Sequence, residues 1–460
     1  MGGFPRRLRR QGKDPVICGS PAASGLTALF GKTAKEPVKI STRTIFCKRK
    51  IFMEKNLSKN IKSVLDKNFN DQVKFLQQLV RTESSNPFTP ETSPPDEPIE
   101  LEVAKLIKQK LEEFGLFLEF KGISSNRPNV ICEIKGDGEK TLILNGHMDT
   151  IVPPENYSFD PYGGEIKNGK LLGVGSADMK ASLSVFIYVA KALIDLNLEL
   201  KGDLILTFVV DEEPGACSKY GTQYLLGQGI RGNAAIVAEP GTKKICIGHR
   251  GGYRFKLTTF GESVHTGTSE WERKEKGKNA IIEMTKVIQL LQETEIAFNS
   301  SSTFSGRKPV FSFPTKITGG QSINVIPDKC EAYGDVRLLP NSTPQQVKKI
   351  IGEKLDKASV NYQIQDILSV PAVEISPAEK IVELLSKHSK DILGNQPILQ
   401  GAGPWNDGWM FISKGIPTVC GFGPDGEGVH SKDEYVYLES LRKITEIYLR
   451  TIIDFLEMEK

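Results

Sequence analysis

Three short apolar runs, each followed at once by acidic or histidine residues, constrain the fold of this chain more than any other feature. The runs are TLILNG at 141–146, DLILTFVV at 203–210 and AAIVA at 234–238. Each has the length of a strand and is apolar enough to be buried on both faces, as the strands of parallel sheets are. Between the first two, residues 181–194 have the length and composition of a buried helix. Strands that alternate with helices predict an α/β domain with a mostly parallel sheet flanked by helices.

The pattern changes after His249. Over residues 249–370 the order of predicted elements is strand, helix, strand, strand, helix, strand, and Thr343 is placed to cap the second helix. This is the order of a ferredoxin-like α+β domain. It lies between segments 53–248 and 371–460, which supply the first and second parts of the larger domain. We therefore expect a small domain inserted into a larger one.

Residues 1–52 form a basic extension, with twelve Lys and Arg against two Asp and Glu, whereas residues 53–460 carry a net charge of −6. Three interpretations are open for the extension. It can be disordered or not native, with translation starting at Met53; it can be an organellar transit peptide; or it can be an arm that binds nucleic acid. For the mildly acidic remainder we expect no nucleic-acid partner. No apolar run approaches the roughly 18 residues of a membrane span, so we expect no membrane partner either.

Seven cysteines are scattered along the chain, without a CxxC pair. An odd number at wide spacing argues against a disulfide framework and favours reduced thiols. The expected location is therefore cytoplasmic, or organellar if the basic extension is a genuine transit peptide.

Acidic or histidine residues follow each predicted strand, and one further acid follows a Gly-rich turn. Any single one of them can be an ordinary solvated loop acid or helix cap. Several at successive strand ends are different, because ligand sites of α/β sheets form at the carboxyl ends of the strands. Asp149 can also accept the second ring N–H of His147, since residues two apart in an extended segment point the same way. The candidate site residues are His147, Asp149, Asp178, Glu212, Glu213, Glu239 and His430.

So many carboxylates in one partly buried place need cations. A mixed set of histidines and carboxylates suits zinc, with cobalt or manganese as alternatives. Two metals that share a carboxylate form a hydrolytic centre. In the doublet Glu212 and Glu213, neighbouring side chains point in different directions, so that one can bind metal while the other acts as a general base.

Seven motifs occur in a fixed order: GHMDT, GVGSADMK, DEEPGA, AEP, GESVHTG, SINVIPDKCEAYGDVR and VHSKDEYV. Together they resemble the dinuclear zinc amidohydrolases and exopeptidases, the family of acetylornithine deacetylase, succinyl-diaminopimelate desuccinylase, aminoacylase, dipeptidases and carboxypeptidase G. The resemblance covers about residues 60–455. It implies a zinc-exopeptidase-like catalytic domain, with the inserted domain as a lid that also dimerises.

The resemblance also implies a ligand set. One zinc would be held by His147, Asp178 and Glu239, and the other by Asp178, Glu213 and His430, with Asp178 as the bridge. A cis peptide bond would follow Asp178.

Further roles follow from the same motifs. Glu212 would be the general base, and Asp149 would orient His147. His265 would reach the active site of the partner subunit and help to stabilise the oxyanion. Asn324 and Arg337 would bind substrate, Arg337 as a fork for a carboxylate. The alternative for Arg337 is a surface salt bridge on the lid.

One segment departs from the family pattern. Many deacylases of the family carry a GGTDA-like turn near the substrate, whereas this chain has GAGPWNDGWM at 401–410. Asp407 is a candidate for the equivalent position, and Pro404, Trp405 and Trp409 would reshape the pocket. The alternative is that the two tryptophans only pack the core.

These observations predict a dinuclear zinc-dependent hydrolase that cleaves the amide bond of N-acyl amino acids, small molecules with a free carboxylate, and that forms a homodimer through the lid. A dipeptidase or carboxypeptidase that acts on small peptides is the alternative. A non-catalytic relative that keeps the fold as a binding protein is more remote, because all six expected ligand and base positions are present.

Overall fold

The structure is a computed structural model that describes residues 42–89, 92–213 and 218–458, with side chains from Asn56 onwards. The chain divides into two units between Lys55 and Asn56, and the description below concerns the second unit. Of the predicted basic extension, only 42–52 are described, as part of the first helix. The other predictions for the extension lie outside the described residues.

The described part of the chain contains ten α-helices, a π-helical turn at Ser176–Lys180 and a 3₁₀ turn at Ser302–Phe304. None of the helices described is long and apolar enough to cross a membrane. The helices are α1 Thr42–Arg81, α2 Leu101–Glu113, α3 Ala181–Asp195, α4 Thr222–Gly227, α5 Ser269–Glu272, α6 Ala280–Leu291, α7 Pro344–Lys357, α8 Lys380–Leu393, α9 Gly408–Ile412 and α10 Leu438–Leu456. The strands are β1 Leu118–Lys121, β2 Asn129–Ile134, β3 Thr141–His147, β4 Ile166–Lys167, β5 Lys170–Leu172, β6 Asp203–Val209, β7 Ala234–Val237, β8 Lys244–His249, β9 Gly251–Phe260, β10 Val264–His265, β11 Val310–Gly319, β12 Val325–Ile326, β13 Lys329–Leu338, β14 Tyr362–Val370, β15 Val373–Glu374, β16 Ile398–Ala402, β17 Thr418–Val419, β18 Gly426–Glu427 and β19 Tyr435–Tyr437.

The three apolar runs form the middle of a six-stranded sheet with the order β1-β2-β6-β3-β7-β17. β3 pairs in parallel with β6 and β7, and β17 continues the parallel part beyond β7. β2 and β1 are added antiparallel at the other edge. The parallel strands therefore end at one edge of the sheet, where the predicted acids follow them.

Helices cover both faces of this sheet, which is why its central parallel strands β3, β6 and β7 are mainly apolar and buried. Leu142 and Leu144 of β3 pack in one cluster with side chains from α1, α2, α3, α8 and α10. Ile143 points to the opposite face, where it packs with residues from α4 and α9. This arrangement confirms the predicted α/β class.

A second sheet, with the order β11-β13-β9-β14, is antiparallel throughout. Its strands and helices follow each other as β9-α6-β11-β13-α7-β14, the ferredoxin-like order predicted from the sequence. The sheet and its two helices have a core of their own. Thr343 caps α7, where its hydroxyl accepts from the backbone N–H of Gln346 at 3.2 Å. The inserted α+β element is thus confirmed, while the exact domain limits at 248/249 and 370/371 stay predictions.

Two smaller sheets join the segments on either side of the insertion. β8 pairs in parallel with β16 and antiparallel with β15, in the order β15-β8-β16. The order β18-β19-β5-β4 brings the segment near residue 430 next to the Gly-rich turn that precedes Asp178.

Candidate metal centre

The candidate ligands come from five separate segments that meet at the carboxyl edge of the central sheet. His147 is the last residue of β3, Glu212 and Glu213 follow β6, and Glu239 follows β7. Asp178 lies in the π-helical turn before α3, and its peptide bond to Met179 is cis, as the resemblance implied. His430 lies between β18 and β19, with a positive φ of 53°.

Three overlapping groups of ligand atoms lie within 4.8 Å of one another in the described part of the chain: His147 with Asp178 and Glu239, Asp178 with Glu213 and His430, and His147 with Glu212 and Glu213. The first two are the sets that the resemblance implied. They share Asp178, whose Oδ1 lies 3.2 Å from Nε2 of His147 and whose Oδ2 lies 3.3 Å from Nε2 of His430. A carboxylate that turns one oxygen to each histidine is arranged as a bridge.

Electrostatics show why this cluster suits cations. Burial, reinforced by the charges of Glu213 and Glu239, raises the pKa of Glu212 well above its ordinary value. Burial and the charge of Asp178 do the same to the pKa of Glu239. Burial also acts on Asp178, but hydrogen bonds with His147 and His430 lower its pKa below the ordinary value. The acids thus raise one another's pKa, and two divalent cations would relieve that repulsion. The donor types and their grouping therefore fit a dinuclear metal centre.

Asp149 acts on the site mainly through the acidic loop. Its carboxylate accepts from the backbone N–H groups of Glu212 at 3.2 Å and Glu213 at 2.9 Å, and from Nδ2 of Asn86 at 3.0 Å. Nδ1 of His147 lies 2.9 Å from the main-chain oxygen of Asp149 and 3.7 Å from its carboxylate. The resemblance implies that the Asp149 side chain orients His147. In the structure the main-chain oxygen of Asp149 makes the shorter contact with Nδ1 of His147, and Nε2 of the same ring faces Asp178. Burial and the charge of Glu100 raise the pKa of Asp149 to about 8.

Two further residues, Asn86 and Glu434, hold the site in place, although no sequence pattern singles them out. Asn86 connects the Asp149 carboxylate with the main-chain oxygen of Glu213, 2.6 Å away. Glu434 is buried, and its carboxylate accepts from the backbone N–H groups of Gly175, Ala177 and Asp178 at 2.8 to 2.9 Å. The only signal for Glu434 was its place in the motif VHSKDEYV, and Asn86 lies in a Pro-rich loop without any periodic pattern.

A cavity of about 710 Å³ opens on the acidic cluster. Arg337 lines it, together with Asp178, Glu212, Glu213, Glu239 and His430. Nη2 of Arg337 also lies 3.0 Å from Oδ2 of Asp335. Arg337 thus makes a salt bridge and also lines the cavity, and its role as a fork for a substrate carboxylate stays a prediction.

His265, implied for the oxyanion, and Asn324, implied for substrate binding, contact each other instead of the acidic cluster. His265 ends β10 and is exposed, and Asn324 precedes β12, which pairs with β10. Nδ2 of Asn324 lies 3.1 Å from Nε2 of His265. Neither residue belongs to the described lining of the cavity within this one chain.

Trp405, from the segment that departs from the family pattern, lines the same cavity. It is largely buried and also packs against Leu368 and Val370. Asp407 lies behind it, where its carboxylate accepts from the hydroxyls of Ser218 at 3.0 Å and Thr222 at 2.5 Å. The segment therefore serves both the core and the pocket.

Comparison with known proteins agrees with this geometry. Residues 143–454 match the peptidase family M20/M25/M40. The chain is 29% identical to N-formyl-4-amino-5-aminomethyl-2-methylpyrimidine deformylase of Bacillus subtilis over 386 residues. This alignment covers 76% of this chain and 88% of the deformylase. The chain is 26% identical over 371 residues to succinyl-diaminopimelate desuccinylase of Bordetella pertussis, which covers 78% and 94%. Among solved structures, the M20 family metallo-carboxypeptidase Sso-CP2 of Sulfolobus solfataricus superposes with a TM-score of 0.68 at 18% identity, over 84% of this chain and 99% of that one. The resemblance seen in the motifs is thereby confirmed, and the chain belongs to the peptidase family M20/M25/M40, as a metal-dependent hydrolase of amide C–N bonds.

Proposed function

We propose that this protein is a dinuclear zinc hydrolase that removes the acyl group from N-acyl amino acids. The observation that carries the proposal is the bridging position of Asp178 between two histidines, in a cavity that also contains the free acid Glu212 and the guanidinium of Arg337. Zinc is the metal that this mixture of histidine and carboxylate donors suits best, although cobalt and manganese share the preference in part. When bound, zinc supplies the positive charge that polarises the scissile carbonyl group.

The chain's own residues divide the work. His147, Asp178 and Glu239 would hold one ion, and Asp178, Glu213 and His430 the other. Glu212 acts as the general base. Its carboxylate lies beside the ligand cluster but belongs to neither of the two proposed ligand sets, so it is available to take up a proton and then release it.

In the proposed reaction, Glu212 takes a proton from water as the water oxygen forms a bond to the carbonyl carbon. It then delivers that proton to the amide nitrogen as the C–N bond breaks. The products are a carboxylic acid and an amine, and no further reactant is needed. Arg337 holds the substrate carboxylate through a bidentate contact, which fixes the amide next to Glu212.

Deacylation is preferred to peptide cleavage because of the relatives that cover most of the chain. The deformylase and the desuccinylase are both named for the removal of an acyl group from nitrogen. Peptidases are found among the structural neighbours, whose identity below 25% speaks for the fold alone. A dipeptidase or carboxypeptidase remains the alternative function.

We further propose a homodimer in which the second copy completes the site. His265 and Asn324 form an exposed pair outside the cavity of their own chain. The lid also exposes apolar side chains on α6, among them Ile281 and Ile282, and β11 is an edge strand of its sheet. A partner docked on these surfaces would cover apolar area and bring its His265 to the oxyanion that forms in this chain's site.

A reducing, cytoplasmic compartment completes the proposal. The four cysteines whose side chains the structure describes, Cys132, Cys246, Cys330 and Cys420, are free thiols. Burial raises the pKa of Cys132 to about 12 and that of Cys246 to about 11, so these thiols are poor nucleophiles.

The function is tested with zinc-loaded protein against N-acetyl, N-succinyl and N-carbamoyl amino acids and a panel of dipeptides, with amine release as the readout. We expect turnover of at least one acyl series and about two zinc ions per chain at saturation. Glu212→Gln should keep both ions and lose turnover, whereas Glu119→Gln on an exposed strand should change neither. Exclusive cleavage of dipeptides would favour the alternative function, and an active Glu212→Gln would remove Glu212 from its role.

The dimer is tested by complementation. His265→Ala and Glu212→Gln are each expected to be almost inactive alone. A mixed dimer contains one site with an intact Glu212 and an intact His265 from the partner, so co-expression should restore activity well above either variant. If the mixture is no more active than its components, His265 does not act across the interface.

A further inference from the structure

The cavity that holds the acidic cluster is also lined by three arginine side chains, Arg250, Arg254 and Arg337. In the part of the chain that the structure describes, their one ion-pair partner is Asp335. Its Oδ2 lies 3.0 Å from Nη2 of Arg337 and 3.7 Å from Nε of Arg254. Three guanidinium groups against one carboxylate leave an excess of positive charge in this part of the cavity.

The register of the antiparallel sheet β11-β13-β9-β14, the lid sheet, explains how Arg254 and Arg337 come together. Arg337 on β13 lies directly opposite Gly252 on β9. Arg254 lies two positions after that glycine on β9, so Arg254 and Arg337 belong to the same face of the sheet, while Arg250 lies between β8 and β9.

Trp405 occupies the space that Gly252 leaves open. A Cβ added at Gly252 would lie 2.1 Å from the Trp405 ring. The guanidinium carbon of Arg337 lies 4.1 Å from the ring centroid, and that of Arg254 lies 5.0 Å from it. Contact with an aromatic face stabilises a guanidinium and leaves its N–H edges free to bind carboxylates. Trp405 therefore holds two like charges side by side with their donors available.

Arg250 adds a buried donor. Its side chain is largely buried, and its Nη2 donates to the main-chain oxygen of Lys308 at 3.1 Å. Its Nε is buried and has no hydrogen-bond partner among the described residues. An unsatisfied buried donor in a charged cavity is the kind of group that a bound anion satisfies.

A substrate with a single carboxylate would use Arg337 alone. We propose that the cavity selects dianionic N-acyl amino acids, whose second carboxylate is bound by Arg254 and Arg250, with Trp405 as a positioning residue. This inference rests on the proposed deacylase function and names its substrate class. The second carboxylate can belong to the amino-acid side chain or to the acyl group, and the two sources share the same chemistry.

The first test compares isosteric substrates that differ by one charge. N-acetylglutamate is paired with N-acetylglutamine, and N-succinylalanine with its succinamoyl analogue, so that the two pairs distinguish the two sources. We expect a preference in kcat/KM of about tenfold to hundredfold for the dianion in one of the pairs, mostly in KM. Equal kcat/KM in both pairs would overturn the inference while leaving the deacylase function intact.

Variants locate the preference. Arg254→Gln should reduce the ratio within the discriminating pair to near one. Trp405→Leu should reduce it too, while Trp405→Phe, which keeps an aromatic face, should restore most of it. Arg273→Gln is the matched control, because Arg273 lies on the same inserted domain in an exposed pair with Glu275. An unchanged ratio in Arg254→Gln, or an equal loss in Arg273→Gln, contradicts the assignment.

A binding measurement keeps the inference testable without turnover. Calorimetry on the zinc-loaded protein gives the Kd of glutarate and of butanoate, neither of which is hydrolysed. Arg254→Gln should weaken glutarate binding about tenfold and butanoate binding much less, because only glutarate has a second carboxylate. Equal effects on both ligands, or none on either, would overturn the second-carboxylate site even if every acyl substrate proved inert.

Discussion

Replacing Arg127 by methionine is expected to destabilise the central sheet and to disturb the loop that carries Glu212. Arg127 is fully buried and donates to both carboxylate oxygens of Glu100, which is buried as well. Its Nη1 lies 3.4 Å from Oδ1 of Asp211, the residue before Glu212, whose φ is 67°. Burial opposes the charge of Arg127, but the hydrogen bonds and charges of Glu100 and Asp211 raise its pKa above the ordinary value.

The size of the effect follows from what is left behind. Methionine fills much of the arginine volume, so the loss comes from charge rather than from a cavity. Glu100 and Asp211 would remain as buried carboxylates without their cation. Removing one partner of such a pair costs about 3–5 kcal/mol, which is at least about a fifth of the roughly 5–15 kcal/mol by which a typical domain is stable.

The assay is denaturation in guanidinium chloride at pH 7, followed by circular dichroism and tryptophan fluorescence. Coincident transitions with the two probes would show that a single free energy of unfolding applies. The double variant Arg127→Met/Glu100→Gln removes one of the two orphaned charges, that of Glu100, and keeps an acceptor for the N–H of Asp211, which now donates to Glu100 at 3.1 Å. We expect the double variant to be less destabilised than the sum of the single variants by about 2 kcal/mol.

Arg273→Met serves as the control, because an exposed ion pair contributes at most about 1 kcal/mol. Two results would refute the reasoning. One is a loss in Arg127→Met no larger than in this control. The other is strict additivity of the Arg127 and Glu100 substitutions, which would show that the two buried charges do not depend on each other.

Two further predictions concern Glu434, which binds the turn around Asp178, and Asp454, which joins α10 to α8. Glu434→Gln should weaken zinc affinity by about tenfold to hundredfold, since the amide cannot accept all three N–H groups around Asp178. Competition with a chelator measures this affinity, and the exposed Glu439→Gln is the control. An unchanged affinity would show that Glu434 does not hold Asp178 in place for the metal. The carboxylate of Asp454 accepts a hydrogen bond from His388. This hydrogen bond, together with the charge of Lys387, lowers the pKa of Asp454 to about 2. An acid whose pKa is depressed on folding stabilises the protein above its ordinary pKa, and this contribution is lost as the pH falls from about 4 towards 2. Asp454→Asn should therefore cost at most about 1 kcal/mol at pH 6, because the Asp454 side chain is 36% exposed to screening by solvent, and less at pH 3. A cost that grows on acidification would show that the pair does not act in this way.

The fold was predictable because its signal is local. Runs such as 141–146 and 203–210 place apolar residues on both faces, with Asn145 and Thr207 as buried polar exceptions, and burial under helices on both faces is what such runs require. The rule that ligand sites form at the carboxyl ends of parallel strands then places His147, Glu212 and Glu239 at one edge without any knowledge of tertiary structure.

The groups that hold the site were not predictable, because they act across long distances in the sequence. Glu434 binds backbone groups more than 250 residues earlier in the chain, and Asn86 binds Asp149 from a loop without any regular pattern. Arg127 and Glu100 are two charged residues that the sequence alone assigns to the surface, and only their mutual pairing permits full burial. For Trp405, packing in the core and shaping the pocket were alternatives in the sequence, but the one side chain does both.

The cavity contains two clusters of opposite charge, and a different sheet positions each cluster. The acids follow strands of the central sheet, whereas Arg254 and Arg337 belong to the lid sheet. Free arginines and acids in one cavity would be expected to pair and close it. Yet among the described ion pairs none joins these arginines to Glu212, Glu213 or Glu239; Asp335 and the face of Trp405 hold the guanidinium groups instead. A substrate that bridges both clusters must therefore contact both sheets at once, so the position of the lid sheet, and not the metal ligands alone, would determine which amide is placed next to Glu212.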